Sequence, residues 1–418
     1  MKIWSVLIWM LFGMSASTAV LAQNPNDIKI MCYNLLTFPV DGGPDLRFND
    51  LGIILDHYEP DLFLVQELLS NNGLKDISSK CNNLFEDEYT NGAFVSQISN
   101  PTNDWKLQQN LVYNDDKFDL VDQQTLVTTH RDINYFALEV TDPNYAQTDP
   151  LLLHVYVNHL KASRGFEEEQ KRLEMVNKLF DHLEGLPDNS NIIVAGDFNI
   201  YESGEPAYIK LLSENGNNTL NDPINKPNWQ SHRDIMTQST RTSPPPGVGG
   251  AGGGMDDRFD FILLSNSLVK TNHSFSYIPK TYKAYGNNGT CYNQNITDCN
   301  SNNNVSSDVL SALYKMSDHL PVVLSLGDNT STSTNEILSS NSINIFPNPT
   351  DQFLTIDLNS LPSGTIEILN FLGQTVYTET LNQSLTSVDL KKLNNGIYFL
   401  CIYNTESKTP ITKRFVKF

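Results

Sequence analysis

The pattern of apolar and polar positions predicts a run of strands followed by mixed strands and helices. Four neighbouring stretches have the spacing of β-strands: 107–113, 118–129, 133–140 and 151–159. Residues 47–57 and 166–184 have helical spacing, and glutamates occupy the first turn of the second helix, where the helix dipole favours negative charge. The predicted apolar stripe of that helix contains Phe166, Leu173, Val176, Phe180 and Leu183. This order of elements predicts packed sheets with helices outside them.

Polar side chains follow or interrupt six of the strand-like apolar runs. They are Asn34, Glu67, His159, Asp197 with Asn199, Asp260, and Asp318 with His319. Strands that end in such residues deliver them to one rim of a sheet, and alternate positions such as 197 and 199 point to the same side. Carboxylates, amides and imidazoles together suit a hard, oxygen-bound cation beside acid–base chemistry.

The sequence blocks around these residues resemble those of the endonuclease/exonuclease/phosphatase family. In chain order the blocks are YNLL at 33–36, VQE at 65–67, NHLKA at 158–162, GDFN at 196–199, DRFDFILLS at 257–265 and SDHLPV at 317–322. The resemblance spans residues 27–326. It implies an α/β (α+β) fold, a four-layer sandwich of two β-sheets flanked by helices, with the active site at one rim. It also implies hydrolysis of phosphoesters with Mg²⁺ or Mn²⁺ as cofactor.

The resemblance further implies a role for each polar residue. The implied metal ligands are Asn34, Glu67 and Asp318. The implied catalytic residues are His159, Asp197, Asn199, Asp260 and His319. Some relatives carry an acidic residue two positions after the asparagine, where this chain has Leu36, so the resemblance implies one carboxylate fewer than in those relatives.

One histidine and one aspartate in these blocks have close competitors in the sequence. His154 lies on the same apolar run as His159, and Asp257 lies near Asp260, but the NHLKA and DRFDFILLS blocks select His159 and Asp260. Asp260 and His319 are predicted to be coupled. A carboxylate that accepts from an imidazole nitrogen favours the imidazolium form, which can stabilise charge on phosphoryl oxygens.

Two arginines are candidates for binding a substrate phosphate. Arg131 precedes a predicted strand, and Arg241 stands just before the segment SPPPGVGGAGGG. For each of them, an ordinary surface arginine is the alternative interpretation. The glycine-rich segment lacks the lysine and the serine or threonine that follow in a P-loop, so it is predicted to be a mobile loop at the rim.

Charge and composition narrow the substrate class. The net charge is −20 and the pI about 4.7, so a broad electrostatic grip on nucleic acid is not expected, although a bound cation and local arginines can act at short range. Three hypotheses remain: an extracellular nuclease, a phospholipid or sphingomyelin phosphodiesterase or phosphomonoesterase, and a catalytically silent binding protein. The loop AYGNNGTCYNQNITD offers Tyr285 and Tyr292 for membrane contact but is otherwise polar, which favours the nuclease.

The two ends of the chain predict export. Residues 1–22 have the features of a secretory signal, with Lys2, an apolar stretch and a cleavage site after Ala22; a membrane anchor is the alternative. No later segment approaches the length of a membrane span, so no stable membrane insertion is expected. Cys291 and Cys299 bracket a polar loop and could form a disulfide in an oxidising compartment. Buried thiols are predicted for Cys32 and Cys401, and Cys81 is undecided.

A second domain is predicted after residue 342. Residues 23–327 form the predicted catalytic domain, and residues 328–342, rich in serine, threonine and asparagine, form a linker. Residues 343–418 contain about seven short strands and predict a small β-sandwich. The pieces INIFPNPT, LNFLGQTVY, LNNGIYFL and KRFVKF resemble the C-terminal sorting domain of the type IX secretion system of Bacteroidota. This resemblance implies contact with the secretion machinery and a secreted or cell-surface location reached through the periplasm. A monomer is expected.

Overall fold

The computed structural model describes most of the chain before residue 328 and most of the C-terminal module. The described residues are 26–40, 46–102, 106–145, 150–216, 218–226, 228–245, 248–270, 275–299, 305–328, 344–357, 364–370, 374–381, 385–403 and 411–418. The predicted signal segment 1–22 lies outside them, as does the predicted linker apart from Asp328.

Before residue 328 the described part of the chain combines six α-helices with two β-sheets, and the five strands from β3 to β7 follow one another without a helix. The helices are α1 (Phe48–Tyr58), α2 (Asn71–Leu84), α3 (Phe166–Leu183), α4 (Pro206–Leu211), α5 (Asn266–Val269) and α6 (Ser307–Met316). The strands are β1 (Ile28–Phe38), β2 (Leu62–Leu68), β3 (Tyr89–Asn91), β4 (Gln108–Asn114), β5 (Phe118–Leu126), β6 (Ile133–Val140), β7 (Leu152–His159), β8 (Asn191–Asp197), β9 (Leu220–Asn221), β10 (Asp260–Ser265), β11 (Ser276–Tyr277), β12 (Lys283–Ala284) and β13 (Val322–Gly327).

These strands form two sheets that pack face to face. The first sheet has the order β11-β13-β1-β2-β4-β3, with β12 beside β13, and the second has the order β5-β6-β7-β8-β10-β9. The pairs β1–β2 and β7–β8 are parallel, because α1 and α3 cross over between their strands; the neighbouring pairs are antiparallel. Parallel neighbours that end together place their terminal side chains at one edge of each sheet.

Alternation along β1 shows how the layers are built. Ile28, Ile30 and Cys32 belong to the apolar core between the sheets, whereas Met31 and Tyr33 belong to the core beneath the helices. On the outer faces α1 packs beside α2 and α6, and α3 packs beside α4. The four-layer α/β sandwich is therefore confirmed, and the free Cys32 is buried as predicted.

Helix α3 matches its predicted bounds, and Val176, Phe180 and Leu183 of its predicted apolar stripe are buried. Phe166 is 75% exposed, because it begins the helix and its first turn extends past the sheet. Met175 and Leu179 are buried as well, together with Arg172, whose guanidinium is fully buried against Glu205. The predicted stripe was therefore wrong at Phe166, and the buried face is wider than predicted.

A buried ion pair anchors the chain just before β10. Arg258 donates through Nη1 and Nη2 to the two carboxylate oxygens of Asp222, at 2.7 and 2.9 Å. Tyr208 donates a further hydrogen bond to Asp222 at 2.9 Å. The guanidinium lies 4.2 Å from the centroid of the Phe261 ring and 5.7 Å from that of Trp229. This cluster fixes the start of the strand that carries Asp260.

The C-terminal module is all β, as predicted. Its strands are β14 (Asn344–Phe346), β15 (Phe353–Asp357), β16 (Gly364–Leu369), β17 (Thr375–Leu381), β18 (Leu385–Asp389), β19 (Gly396–Tyr403) and β20 (Ile411–Lys417). They form one sheet of order β14-β15-β18 and a second of order β17-β16-β19-β20. Leu354, Ile356, Ile366, Leu400 and Phe415 are among the residues of their common core.

The described residues also answer the sequence-based questions about the cysteines and about membrane-spanning helices. Cys291 and Cys299 form a disulfide, while Cys81 and Cys401 are buried and not disulfide-bonded. None of the helices in this part of the chain has both the length and the apolar character of a membrane span.

Candidate active site

The parallel strands β1 and β2 bring Asn34 and Glu67 together where both strands leave regular pairing. The register between them shifts after Asn34, and Glu67 has a φ of 62°, which is uncommon for a residue other than glycine. Asn34 Nδ2 donates to Glu67 Oε1 at 3.1 Å, and its Oδ1 accepts from the backbone N–H of Leu36 at 3.0 Å. The backbone N–H of Thr37 donates to Glu67 Oε2 at 2.9 Å. The irregular backbone thus orients both side chains.

The second parallel pair supplies His159 and Asp197, which are direct neighbours at the ends of β7 and β8. His159 Nε2 lies 3.5 Å from Asp197 Oδ2, and Asn34 Nδ2 donates to the same oxygen at 3.0 Å. Asp197 Oδ1 accepts from the backbone N–H of Asn199 at 3.0 Å. Asn199 Nδ2 donates to the carbonyl of Leu160 at 3.3 Å, so its side chain lies at the end of β7.

Asp260 and His319 form the predicted pair. His319 Nδ1 lies 2.7 Å from Asp260 Oδ2, and both residues are buried. The other ring nitrogen, Nε2, lies 3.7 Å from Asp197 Oδ2 and 2.7 Å from Nε2 of Gln238. One ligand atom from each of Asp197, Asp260 and His319 lies within 4.8 Å of the others, which makes this a compact group of titratable residues.

Asp318 has one oxygen engaged and one without a partner. Its Oδ2 accepts from the backbone N–H of Ala251 at 2.6 Å and from Nε2 of Gln238 at 3.3 Å. Its Oδ1 is buried and has no hydrogen-bond partner among the described residues. Oδ1 of Asp260 is in the same situation. Buried carboxylate oxygens without partners are costly unless a cation or water completes them.

The two histidines have opposite protonation tendencies. Burial lowers the pKa of His159 well below its usual value, and the charges of Arg131 and His319 act in the same direction. Burial alone would also lower the pKa of His319, but Asp260 and Asp197 outweigh it and raise that pKa well above its usual value. At neutral pH the site therefore combines a neutral imidazole with an imidazolium.

The carboxylates beside them are held less acidic than usual. Burial raises the pKa of Asp197 to about 7, and the negative charges of Asp260 and Glu67 act in the same direction against the opposing effect of His319. Burial, with Asp318 nearby, also raises the pKa of Glu67. Carboxylates crowded in this way favour either a proton or a bound cation.

The side chains predicted as metal ligands are of types that suit a hard divalent cation. Glu67 and Asp318 offer carboxylate oxygens and Asn34 an amide oxygen, which are the ligand types that Mg²⁺ and Mn²⁺ prefer. The buried Asp318 Oδ1 without a partner supports this fit. With its Nδ1 on Asp260, His319 is better suited to acid–base chemistry than to holding a metal.

The two arginines proposed for substrate binding lie in different surroundings. Arg131 Nη1 donates to the carbonyl of Leu160 at 2.6 Å, and its charge acts on both Glu67 and Asp197. Arg241 is fully buried, and its guanidinium donates to the carbonyls of Tyr314 and Gly249 at 3.2 and 3.4 Å. Arg131 therefore belongs to the group around Asp197, whereas Arg241 stabilises the backbone at Tyr314 and Gly249. Substrate contact by either one stays a prediction.

His154 and Asp257, the alternatives to two predicted site residues, and Gln238, which was not predicted, also have defined positions. His154 bonds the hydroxyl of Tyr135 at 2.9 Å, and Asp257 faces Arg164 at 3.4 Å, so neither belongs to the group around Asp197. Gln238 was not predicted. It lies in an irregular segment that bridges to residues 257 and 319, and a lone glutamine outside any apolar run gives no sequence signal.

Known proteins match the two parts of the chain differently. Residues 344–417 match the family model for the secretion system C-terminal sorting domain. A stretch of 76 residues is 30% identical to the ulvan lyase NLR42 of Nonlabens ulvanivorans, covering 18% of this chain but only 14% of the lyase.

Two solved structures are also similar to this chain. The human Nocturnin catalytic domain with bound sulfate is 18% identical, with a TM-score of 0.45, and the match covers 72% of this chain and 95% of that one. A family protein from Bacteroides thetaiotaomicron is 16% identical, with a TM-score of 0.45, over 72% of this chain and 94% of its own. The family model at residues 344–417 shows that the chain carries a secretion system C-terminal sorting domain and is a type IX-secreted protein.

Proposed function

We propose that this protein is an extracellular nuclease that hydrolyses phosphodiester bonds with Mg²⁺ or Mn²⁺. The observation that carries the proposal is the set of buried groups around Asp197, with its carboxylate between a neutral and a charged histidine. Titratable groups whose environments push their pKa values apart are typical of acid–base catalysis. The unpartnered carboxylate oxygens of Asp260 and Asp318 support the proposal, because a buried anionic oxygen is costly unless a cation or a water completes it.

Asp197 is proposed to orient and deprotonate the attacking water. Its pKa of about 7 suits a general base that works near neutral pH. The backbone N–H of Asn199 and the amide of Asn34 hold its two oxygens, so the carboxylate has one fixed orientation. Asn199 is proposed to contact a phosphoryl oxygen through its side-chain amide.

His319 and His159 are proposed to stabilise charge on the phosphoryl group. Asp260 binds Nδ1 of His319 and holds the ring as imidazolium. The other nitrogen, Nε2, would face the substrate after the side chain of Gln238, which contacts it in this structure, has moved aside. His159 is neutral and contributes one ring N–H as a hydrogen-bond donor. Donors fixed in this way act on charge as it develops in the transition state.

The metal would be held by Glu67, Asn34 and Asp318. When bound, it supplies Lewis-acid stabilisation of the phosphoryl oxygens. The protein's own contribution is to fix these ligands: Thr37 and Leu36 donate backbone hydrogen bonds to Glu67 and Asn34.

Two observations support a nucleic acid substrate over a lipid. Lys161 follows two residues after the end of β7, within electrostatic reach of Arg131, and adds positive charge where a polyanion would enter. The tyrosines considered for membrane contact are not free for it, because Tyr285 is buried and the ring of Tyr292 lies beneath the guanidinium of Arg233 at 4.3 Å. Local cations can act on a substrate despite the net charge of −20, since screening limits the effect of distant charges.

The proposal extends to the organisation of the chain. We propose that residues 1–22 are removed as a signal peptide, that residues 23–327 form the hydrolytic domain, and that residues 328–342 link it to the sorting module at 343–418. The hydrolytic domain would act as a monomer. The extracellular medium, which contains both divalent cations and free nucleic acid, suits such an enzyme.

A substrate panel tests the proposal. Plasmid DNA, RNA, sphingomyelin and inositol phosphates are each incubated with the secreted protein, with Mg²⁺ and with chelator. Release of phosphodiester cleavage products from DNA or RNA, only with metal, is the expected result, and Asp197→Asn should abolish it. Hydrolysis of sphingomyelin or inositol phosphates alone would overturn the nuclease proposal. No hydrolysis of any of the four would overturn the phosphodiesterase reading.

A further inference from the structure

We propose that the glycine-rich segment, defined here as residues 248–254, is a positioning element that fixes Asp318 for its work in the active site. The inference rests on the proposed function, in which Asp318 helps to hold the metal. The segment was predicted to be a loop at the rim, and it reaches further than that, because its backbone contacts Asp318 directly.

The two oxygens of Asp318 show what the segment does. The backbone N–H of Ala251 donates to Oδ2 at 2.6 Å, and Gln238 donates to the same oxygen at 3.3 Å. Oδ1 is buried without a partner. Two donors on Oδ2 fix the rotation of the carboxylate, so Oδ1 is held in a single orientation. Fixed ligands of this kind bind metals more tightly than mobile ones.

Gly250 is the residue that allows this approach. Its φ is +88°, and a Cβ at this position would lie 3.0 Å from Asp318 Oδ2 and 3.0 Å from Leu36 Cδ2. Any side chain would therefore push against the carboxylate and against the end of β1. Gly249 differs in one respect that matters. Its φ is +73°, but a Cβ there would meet nothing within 4 Å.

The segment itself is tied to the chain that precedes it. Ser239 Oγ donates to the carbonyl of Ala251 at 3.0 Å, and Arg241 Nη2 donates to the carbonyl of Gly249 at 3.4 Å. The backbone N–H of Gly253 donates to the carbonyl of Thr242 at 3.0 Å. The buried Arg241 thus links the segment at Gly249 to α6 at Tyr314, which holds the segment in place beside Asp318.

A phosphate cradle is the competing role for a glycine-rich segment near a phosphoesterase site. Such cradles present free backbone N–H groups to the anion. Here the N–H of Ala251 is occupied by Asp318, and those of Gly253 and Gly254 by the carbonyls of Thr242 and Arg241. These three N–H groups are therefore not available to a bound phosphate, and that of Ala251 holds the carboxylate of Asp318 instead.

The test compares Gly250→Ala with Gly249→Ala in the full-length protein. Both variants place alanine at a positive φ, so the backbone cost is similar, but only the first meets Asp318. The dissociation constant for Mn²⁺ is measured from the electron paramagnetic resonance signal of free Mn²⁺, with Asp318→Asn as reference. Gly250→Ala should weaken Mn²⁺ binding by at least about 10-fold, the usual effect of losing support for a metal ligand, and Gly249→Ala by less than about 2-fold.

A second variant tests the same role in case Gly250→Ala does not fold. Ser239→Ala removes one hydrogen bond to the segment without adding bulk, and should weaken Mn²⁺ binding by about 5-fold, the equivalent of one hydrogen bond. Equal Mn²⁺ affinities in the wild type, Gly250→Ala and Ser239→Ala would overturn the positioning role while leaving the proposed function intact. A wild type that binds no Mn²⁺ while still hydrolysing nucleic acid would overturn both the metal reading and this inference.

Discussion

Breaking the buried pair of Asp222 and Arg258 should destabilise the domain that carries the active site. Both side chains are about 1% exposed and share two hydrogen bonds of 2.7 and 2.9 Å. In Asp222→Ala the guanidinium would remain buried without its counter-charge, and Tyr208 would lose its acceptor. Removal of one partner from a buried ion pair typically costs about 3–5 kcal/mol. We expect the free energy of unfolding to fall by that amount.

The double variant separates the pair's own contribution from the cost of an orphaned charge. Asp222→Asn with Arg258→Met removes both charges with little change in volume, and buried ion pairs replaced by uncharged residues of similar size often lose little or even gain stability. We therefore expect the double variant to recover at least about 2 kcal/mol relative to Asp222→Ala. Arg258→Met alone should resemble Asp222→Ala, because it leaves a buried carboxylate.

Tryptophan fluorescence during urea unfolding measures these differences close to the pair. The Trp229 ring lies 5.7 Å from the Arg258 guanidinium, and a Trp105→Phe background removes the other tryptophan of the chain after residue 22. A loss below about 1 kcal/mol in Asp222→Ala, or a double variant no more stable than the single ones, would refute the reasoning.

The same pair sets a direction for the pH dependence of stability. Burial would raise the pKa of Asp222, but Arg258 outweighs it and holds that pKa below its usual value. A depressed folded-state pKa contributes stability above the unfolded value of about 4, and this contribution is lost as the pH falls through the folded-state pKa. The wild type should therefore lose this increment below pH ~4, whereas Asp222→Asn should lack it at every pH.

Three further predictions concern activity. His319→Ala should lower kcat by ~10²–10⁴-fold while the protein stays folded by circular dichroism, and near-normal turnover would contradict its role. Chelator should abolish hydrolysis and added Mg²⁺ or Mn²⁺ should restore it, and Glu67→Gln should raise the Mg²⁺ concentration for half-maximal rate; full activity in chelator would reject the metal reading. A truncated protein of residues 23–328 should keep full hydrolytic activity in vitro, because no residue of the site lies beyond His319. An inactive or insoluble truncated protein would make the C-terminal module structural or substrate-binding.

The sequence predicted the sandwich of sheets and helices, and it predicted that strands ending in polar residues meet at one rim. Apolar runs that end in polar residues are a local signal, and Asn34, Glu67, His159 and Asp197 lie where such runs end. The all-β character of the C-terminal module was equally visible, because its short alternating strands are separated by turn residues.

What the sequence could not show depends on contacts between distant segments. Gln238 reaches His319 and Asp318 across about 80 residues of chain, from a segment without strand or helix periodicity. The burial of Arg241 depends on the carbonyl of Gly249 and on α6. The hydrogen-bond donors Asn34 and Ser239 likewise act on residues that no sequence spacing relates to them.

The packing of the two sheets has a consequence for how the active site tolerates change. Asn34 belongs to the first sheet and Asp197 to the second, and the 3.0 Å hydrogen bond between them spans the gap. The contact of His319, just before β13, with Asp260 of β10 spans the same gap. The residues of the candidate active site therefore come from both sheets, and the apolar layer between the sheets sets the distance between them. A substitution such as Ala195→Val, deep in that layer and in contact with no substrate, would push the sheets apart and increase the distances between the residues proposed for catalysis.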